Sequence, residues 1–551
     1  MSREKRVSLA LIIGLLVTGI GIGSLTDSQP KLPTLSSYNG QQTTDLTEQT
    51  IKEDPALGPV IVSESEAGHT NYSHKKIYVD NSFTSNLPIV VIDTGDQKPS
   101  RGVVWDKSKQ YYIPTGEDPY AYGSISIING AYNQVTDPAS MTTDIKIKIR
   151  GNSSGTYDKK QYLIKTLNKS EKTVKKNIMD LGNGSEWVLN VSFADKSLIR
   201  NFLALSTAKV LRPETPDAKY CEVLWKEDDR YRYDGVYLMM ERVSVGENRV
   251  NLPQYAENIA HIPALYRRDR YTPSDLMLEN YAYVHNLSSG RIGVLYPEHE
   301  VLSGNAAAQL TQQIDRLERA LYSDDPEEFY QYRKYVDLDS FVDYFILNEF
   351  FLNYDAGYNS TYFFSDYSGK IHMGPVWDFD QGMHNSSEYA TDLYTTAFHS
   401  APWFDRMLRD PMFTEKIEQR YHELRQSILS DAAMDDFISA ITLHLGPAPA
   451  RDWARWGYYY KNDSYLTTTG GAIATTWEDE VARIRYALKE HAQWLDQHID
   501  SLYQFKMMSL DQAKEFTGTA GDTPRYGSLL AVVFVIGFFV SVNLVLRKES
   551  E

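Results

Sequence analysis

The sequence contains a single cysteine, Cys221, in 551 residues. No disulfide can form within the chain, so its stability must come from the packing of side chains. Aromatic residues are numerous enough to supply that packing, with 39 tyrosines, 20 phenylalanines and 9 tryptophans. A chain of this length can bury a large hydrophobic core and has room for more than one domain.

Basic residues are outnumbered by acidic ones. The 56 Lys and Arg against 73 Asp and Glu give a net charge of −17. Proteins that bind the phosphate backbone of nucleic acids need a basic face, so the composition argues against a nucleic-acid partner. A small phosphate-bearing ligand would need a local cluster of cations or a bound metal ion.

Two motifs for cofactor or phosphate binding are missing. The sequence has neither a Walker A loop nor a G-x-G-x-x-G dinucleotide fingerprint, which leaves little support for a P-loop enzyme or a dehydrogenase. The histidines do not show the paired spacing of H-E-x-x-H, so a zinc site is not expected. These scattered histidines are His261, His285, His372 and His384.

Long apolar runs occur only near the two ends, at 7–25 and 528–546. Each has about the 20 residues that cross a bilayer as a helix. The adjoining basic residues lie outside the pair, which predicts cytoplasmic termini and a main domain on the outer side of the cell membrane. The first run has a second interpretation, a cleaved signal peptide, because small residues follow its apolar centre.

Composition and hydrophobic periodicity divide the rest of the chain. Residues 26–59 are polar and rich in Thr, Gln, Ser and Pro, which predicts a disordered linker. We expect a membrane anchor or signal peptide at 1–25, a core domain at 75–400, a helical C-terminal part of the same domain at 401–510 and a membrane helix at 526–547. Strand patterns dominate up to residue 300 and helix patterns dominate after 306, which indicates an α+β fold with two lobes. The predicted strands are 89–93, 122–128, 144–150, 161–166, 187–191, 220–225 and 235–242, and the predicted helices are 196–211, 306–322, 326–335, 338–352, 411–444 and 476–502.

The stretch from Asp337 to Asp380 carries the most specific pattern. Residues 337–353 are apolar on almost every side, which predicts a buried helix capped at its start. A polar loop follows, and then two short strands at 361–365 and 370–376, joined by a turn. Since neighbouring strands lie about 5 Å apart, the loop should lie beside Asp378 and Asp380.

These loop and strand-end residues could bind a divalent cation and orient a hydroxyl group. Asp355 is the candidate that accepts or orients the hydroxyl, and Asn359 and Asp378 are candidate ligands of the cation. Asp380 is either an auxiliary ligand or a cap. The alternative is that Asp and Asn simply favour turns, as they do in many proteins.

Candidate phosphate-binding cations lie earlier in the chain. Arg150 opens a turn of small residues whose backbone amides could face an anion. On the following strand Lys160 is the favoured inward lysine and Lys165 is the alternative, since spacing does not decide between them. Glu241 ends a later strand, where it could pair with the inward lysine or be solvated.

Four blocks of the sequence resemble the CotH (spore coat protein H) kinases, a family of atypical protein kinases. The blocks occur in the family's order, and the last, which ends in WDFD, is the most specific. They are 87–93 (LPIVVID), 147–154 (IKIRGNSS) with 159–165 (KKQYLIK), 233–241 (YDGVYLMME) and 348–380. The sequence has neither an HRD triplet before the loop nor a DFG motif, so the resemblance is to an atypical branch.

This resemblance implies a two-lobed, atypical protein-kinase-like fold, here flanked by two transmembrane helices. It also implies ATP and Mg²⁺ as cofactors, with Asp355 as the catalytic residue and Asp378 as a metal ligand. The expected reaction is phosphoryl transfer to Ser or Thr of a protein, and the family's substrates are serine-rich, basic coat proteins. Two alternatives remain open: a surface binding or structural module with a repurposed kinase-like fold, and a nucleotidyl transferase.

Overall fold

The computed structural model describes residues 61–62 and 76–506, apart from gaps at 110, 153, 258, 273–274, 289, 303–304, 386–391 and 463–475. The twenty strands of this part are β1 Ile61–Val62, β2 Ile77–Val79, β3 Thr84–Ser85, β4 Ile89–Asp93, β5 Val103–Asp106, β6 Tyr111–Pro114, β7 Ala121–Ile128, β8 Asn133–Gln134, β9 Met141–Ile149, β10 Tyr162–Leu167, β11 Lys176–Asn177, β12 Asn183–Gly184, β13 Glu186–Val191, β14 Ala218–Glu227, β15 Arg230–Glu241, β16 Ala264–Arg268, β17 Leu276–Met277, β18 Ile292–Tyr296, β19 Thr361–Ser365 and β20 Ile371–Met373.

Ten α-helices accompany these strands in the described residues. They are α1 Arg200–Leu211, α2 Tyr281–Val284, α3 Ala306–Leu321, α4 Pro326–Phe329, α5 Leu338–Phe350, α6 Phe404–Met407, α7 Pro411–Arg425, α8 Asp431–Leu445, α9 Ala448–Asn462 and α10 Trp477–His498. Short 3₁₀ turns cover Ser154–Thr156, His299–Val301, Tyr330–Lys334 and Ile499–Phe505.

Seven strands of the first sheet close on themselves. The order is β15, β13, β10, β9, β7, β4 and β14, and β14 pairs with β15 again. The pair β4–β14 is parallel, with Glu222 opposite Ile89, and the other pairs of the ring are antiparallel. Alternate residues of each strand point inward, as the two-residue period of a strand requires. The enclosed core includes Val90, Ile92, Ile125, Ile145, Ile147, Ile164, Trp187, Leu189, Val223, Tyr237 and Met239.

A second, five-stranded antiparallel sheet lies among the helices, with the order β17, β18, β16, β19 and β20. Helix α5 is central to this region, since it contacts α1, α7, α10 and β20. It is buried on nearly all sides, which agrees with its uninterrupted apolar sequence. A large common core joins the outer face of the first sheet to these helices and to the second sheet.

Helix α9 closes one end of the ring. Trp456, Tyr459 and Tyr460 of α9 belong to the core inside the first sheet. Asp452 on the same helix accepts hydrogen bonds from Lys159 Nζ at 2.6 Å and from the backbone amide of Val236 at 2.8 Å. The helix therefore supplies apolar contacts to the ring, a hydrogen bond to β15 and an ion pair to Lys159, all with residues more than 200 positions earlier.

The predicted fold class needs correction. Two lobes were expected, with strands in the first part of the chain and helices in the second. The strands of the first part instead form a closed ring, because β14 and β15 complete it, and helix α9 from the C-terminal part fills one end. The second sheet combines strands from 264–296 with strands from 361–373, so strands and helices are not separated along the chain.

The predicted membrane topology also needs correction. Among the residues that the structure describes, no helix is both long enough and apolar enough to cross a bilayer. The two segments predicted to cross it, 1–25 and 526–547, lie outside the described residues, as does the predicted linker at 26–59. The described residues give no support to the predicted anchor of two membrane spans with the main domain outside the cell.

Candidate active site

A helix, a loop and a hairpin position the candidate residues in the order that the sequence predicts. Helix α5 begins at Leu338, and the side chain of Asp337 caps it by accepting a hydrogen bond from the amide of Ser340 at 2.9 Å. Strands β19 and β20 pair antiparallel, with Phe363 opposite Met373. β20 is shorter than the predicted run and ends at Met373, before Gly374 and Pro375. The hairpin brings the loop before β19 next to the residues after β20.

Two hydrogen bonds tie the loop to the two principal carboxylates. Asn359 Nδ2 donates to Asp355 Oδ1 at 2.8 Å. The next residue, Ser360, donates from its hydroxyl to Asp378 Oδ2 at 3.0 Å. Neighbouring loop residues thus hold one carboxylate each, and Asp355, Asn359, Ser360 and Asp378 line one cleft.

The backbone is in the left-handed region on both sides of the Ser360–Asp378 contact. Ser360 has a φ of +47° and Asp378 a φ of +66°. Residues other than glycine rarely adopt such φ values, and Asp and Asn tolerate them best. Strained conformations of this kind cluster at functional sites, where the surrounding structure maintains them. In this conformation the carboxylate of Asp378 accepts the hydrogen bond from Ser360.

The backbone between the two acidic residues after β20 is fixed by amide side chains. The N–H of Phe379 donates to Asn201 Oδ1 at 2.7 Å, and the carbonyl of Asp380 accepts from Asn385 Nδ2 at 2.7 Å. Asn201 in turn donates to Asn190 Oδ1 at 3.3 Å. These bonds hold the acidic segment against α1 and β13.

Burial and neighbouring negative charges raise the pKa of two carboxyl groups at the cleft. Burial, with the negative charge of Asp355 as the next cause, raises the pKa of Asp378 to about 6, although the Ser360 hydroxyl and the Arg150 guanidinium oppose the shift. Burial and the charges of Asp378, Asp195 and Asp355 raise the pKa of Asp380 well above its usual range. A cation in the cleft would relieve this repulsion.

The donor set fits a hard, oxygen-binding cation in part. Carboxylate and amide oxygens are ligands suited to Mg²⁺, which usually keeps several waters and binds through one or two carboxylates. Within the described residues no group of three or more His, Cys, Asp or Glu side chains is placed to hold a metal ion by itself. The cleft therefore fits Mg²⁺ held by few protein ligands together with water and phosphate oxygens.

Cationic side chains also line the cleft. The guanidinium of Arg150 lies over the ring of Trp377, 5.4 Å from its centroid, and interacts electrostatically with Asp378. Arg267 and Arg270, which the sequence did not single out, line the same cleft. Asp269 also lies there and accepts a hydrogen bond from Asn152 Nδ2 at 3.0 Å.

The predicted lysines lie outside this cleft. Lys160 Nζ donates to the backbone carbonyl of Thr156 at 3.3 Å. The buried lysine of the pair is Lys159, whose ammonium forms the ion pair with Asp452. The choice of Lys160 as the inward residue was wrong because the strand begins only at Tyr162, so its alternation does not extend back to 159 and 160.

Lys165 and Glu241 line a second cleft and do not pair with each other. Lys165 forms an ion pair with Glu186. Glu241 accepts from Arg249 Nε at 2.8 Å and from the amide of Asp217 at 3.2 Å. Glu241 is buried and pairs with an arginine of the following loop, so neither predicted alternative, pairing with the inward lysine or exposure to solvent, is found.

The sequence matches one known protein family over the residues that form this cleft. The family described as CotH kinase protein matches residues 147–495, well over half of the chain. The chain belongs to the CotH kinase family. This confirms the resemblance derived from the sequence, although the first resembling block, 87–93, precedes the matched residues. No curated protein matches the chain.

The match to the CotH kinase family includes the whole cleft. It begins in β9, before Arg150, and ends in α10, so that all five candidate residues of the cleft are inside it. Membership in the CotH kinase family indicates a kinase-like function with ATP and a divalent metal. The five residues are Arg150, Asp355, Asn359, Asp378 and Asp380.

Three residues that bind the acidic segment or its neighbours in this CotH-family chain were not found from the sequence. Ser360 follows Asn359 directly, and this position was a recognisable signal that its hydroxyl could contact the site. Asn201 lies in a helix and Asn190 in a strand, and nothing in their local patterns marks them. Asn201 and Asn190 precede Phe379 by 178 and 189 residues, and only the fold brings them to the acidic segment.

The raised pKa of Asp378 predicts a stability cost in the absence of metal. Its folded pKa of about 6 lies above the ordinary value of 3.8, so the folded state binds more protons between pH 4 and pH 6, and stability falls as the pH rises through that window. Asp378→Asn should therefore stabilise the metal-free protein at pH 7.5 by about 1–2 kcal/mol, a range reduced for screening by water.

Denaturant unfolding at pH 7.5 and at pH 4 measures this effect. We expect Asp378→Asn to raise the free energy of unfolding less at pH 4 than at pH 7.5. Added Mg²⁺ should also reduce the difference between the two proteins, because it stabilises only the native sequence. Asn retains an acceptor for Ser360 and tolerates positive φ. Asp229→Asn, in an exposed turn, is the matched control. A destabilised Asp378→Asn protein at pH 7.5 would contradict the prediction.

Proposed function

We propose that this protein transfers the γ-phosphoryl group of ATP to Ser or Thr of a polypeptide in a Mg²⁺-dependent reaction. The observation that carries the proposal is the meeting of Asp355, Asn359 and Asp378 in one cleft that Arg150 also lines. Phosphoryl transfer needs charge neutralisation and positioning, and carboxylates that bind metal beside an arginine supply both.

Each residue of the loop has a distinct role in this proposal. Asp355 receives the proton of the acceptor hydroxyl. The side-chain N–H₂ of Asn359 donates to Asp355 and holds that carboxylate in place. The amide oxygen of Asn359 is thereby directed away from Asp355 and toward a cation. Ser360 occupies one oxygen of Asp378 and leaves the other as a ligand. Mg²⁺, when bound with ATP, neutralises charge on the phosphate oxygens.

Labelling with two forms of ATP tests the reaction. The purified full-length chain with Mg²⁺ and γ-labelled ATP should label itself or an added Ser-containing peptide, and chelation of Mg²⁺ should stop the labelling. Label transferred from the α-phosphate instead would show nucleotidyl transfer. If no label is transferred and ATP does not raise the melting temperature, the protein is a binding module and the proposal fails.

A further inference from the structure

Three buried side-chain amides form a hydrogen-bonded chain that ends at the acidic segment after β20. The backbone N–H of Phe379 donates to Asn201 Oδ1 at 2.7 Å. Asn201 Nδ2 donates to Asn190 Oδ1 at 3.3 Å, and Asn190 Nδ2 donates to Gln161 Oε1 at 2.7 Å. We name Gln161, Asn190 and Asn201 the amide chain.

Three separate elements supply the amide chain. Asn201 is the second residue of α1, Asn190 lies in β13, and Gln161 directly precedes β10. The antiparallel register that pairs Tyr162 with Leu189 places Gln161 opposite Asn190. Both of these residues also line the cleft of Asp355 and Asp378. The amide chain therefore connects the part of the cleft wall that belongs to the first sheet with the acidic segment.

One backbone N–H determines how all three amides are oriented. Only an oxygen accepts a hydrogen bond from Phe379, so Oδ1 of Asn201 faces that residue and Nδ2 faces away from it. By the same reasoning, the oxygen of Asn190 faces Asn201 and the oxygen of Gln161 faces Asn190. All three side chains are buried, and a flip of any single amide would oppose two oxygens or two N–H₂ groups.

The N–H of Phe379 belongs to the peptide group that begins at Asp378. Because a peptide group is planar, a hydrogen bond to this N–H restrains the ψ angle of Asp378. Asp378 has a φ of +66°, a conformation that the surrounding structure must maintain. Ser360 holds one oxygen of its carboxylate, and Asn201 holds its backbone. The residue is thus restrained at its side chain and at its main chain.

We propose that Asn201, oriented by Asn190 and Gln161, is a positioning residue that holds Asp378 in the conformation in which it binds a divalent cation. This inference rests on the proposed function, in which Asp378 is a ligand of Mg²⁺. Removal of a partner that orients a metal ligand lowers metal affinity or activity by about 10–100-fold. An amide that served only the packing of the core would affect stability and leave cation affinity unchanged.

Binding of Mn²⁺ alone tests this role without nucleotide or substrate. Mn²⁺ takes the same oxygen ligands as Mg²⁺, and electron paramagnetic resonance measures how much of it stays free. With the full-length chain, Asn201→Leu should weaken Mn²⁺ binding about tenfold. Asn201→Asp should bind Mn²⁺ at least as tightly as the native chain. The introduced carboxylate still accepts from Phe379, and the amides of Asn190 and Gln161 keep their hydrogen bonds if both flip together.

A buried asparagine outside the cleft provides the matched control. Asn133 is fully buried, accepts from the amide of Gly130 at 2.5 Å and donates to the carbonyl of Leu87 at 2.9 Å. It is not among the residues that line the cleft. Asn133→Leu should lower the midpoint of urea unfolding and leave Mn²⁺ affinity at the native value. Equal weakening of Mn²⁺ binding by Asn133→Leu and Asn201→Leu would overturn the proposal.

A second variant covers the case in which Asn201→Leu loses the native circular dichroism spectrum. Asn190→Leu acts one hydrogen bond further from Phe379 and should weaken Mn²⁺ binding by a smaller factor. Unchanged Mn²⁺ binding in the folded variant, or no Mn²⁺ bound by the native chain, would also overturn the proposal.

Labelling with γ-labelled ATP separates the positioning role from the proposed function. Asn201→Leu should lower kcat and raise the Mg²⁺ concentration that gives half of the maximal rate. KM for an acceptor peptide should stay within about twofold of the native value. If Mn²⁺ binding depends on Asn201 but no phosphoryl group is transferred, the proposed function fails and the positioning role stands.

Discussion

Asp355→Asn is expected to lower the rate of phosphoryl transfer by about 10³-fold while the protein stays folded. Asparagine has the same shape and still presents an oxygen to Asn359 Nδ2, which donates to the carboxylate at 2.8 Å. It does not accept a proton from the acceptor hydroxyl. Initial rates of labelling with γ-labelled ATP at saturating Mg²⁺ measure the loss, which should fall on kcat more than on KM.

An aspartate of the same local type provides the control. Asp366, in the turn between β19 and β20, also accepts a hydrogen bond within its own loop, from the amide of Ser368 at 2.8 Å. Asp366→Asn should retain full activity, and both variants should keep the native circular dichroism spectrum. If Asp355→Asn and Asp366→Asn were equally active, Asp355 would be a turn residue and would have no part in the chemistry.

Asp452→Ala is expected to destabilise the fold by about 3–5 kcal/mol. The carboxylate is fully buried and accepts from Lys159 Nζ, from the amide of Val236 and from the hydroxyl of Tyr460 at 2.9 Å. Its removal leaves the buried ammonium of Lys159 without its ionic partner. The midpoint of urea unfolding, followed by tryptophan fluorescence, measures the change.

A double variant distinguishes the lost charge pair from lost packing. Replacement of both partners, Lys159→Met with Asp452→Leu, removes the uncompensated charge and should restore most of the stability that Asp452→Ala loses. Both side chains are 0% exposed, so hydrophobic replacements remain buried. A loss below about 1 kcal/mol for Asp452→Ala would show that water reaches the pair.

Much of the candidate site was predictable because it is local in sequence. Residues 337–380 supply a helix, a loop and a hairpin in immediate succession, and the hairpin alone sets the loop beside Asp378. The capping by Asp337 and the antiparallel pairing of β19 and β20 follow from patterns that act within a few residues. Predictions of this kind need no knowledge of the rest of the fold.

The parts that failed depend on distant contacts. Closure of the ring by β14 pairing with both β4 and β15 is not encoded in any single strand pattern. The predicted helix 411–444 is two helices, since Ser430 caps a new one by accepting from the amide of Ala433. Helix α9 was not predicted, because the Trp and Tyr residues that dominate its sequence are also common in strands. Lys159 was not recognised as the buried lysine, since its partner, Asp452, is 293 residues away in the chain.

The position of helix α9 has a consequence for the order of events during biosynthesis. The strands of the ring are complete once residue 241 has been made, but the helix that fills one end starts only at residue 448. On a ribosome, more than 200 further residues must be added before Lys159 can meet its carboxylate. Until then the nascent ring keeps an unneutralised ammonium group and an uncovered aromatic end, which exposes it to chaperones and to aggregation.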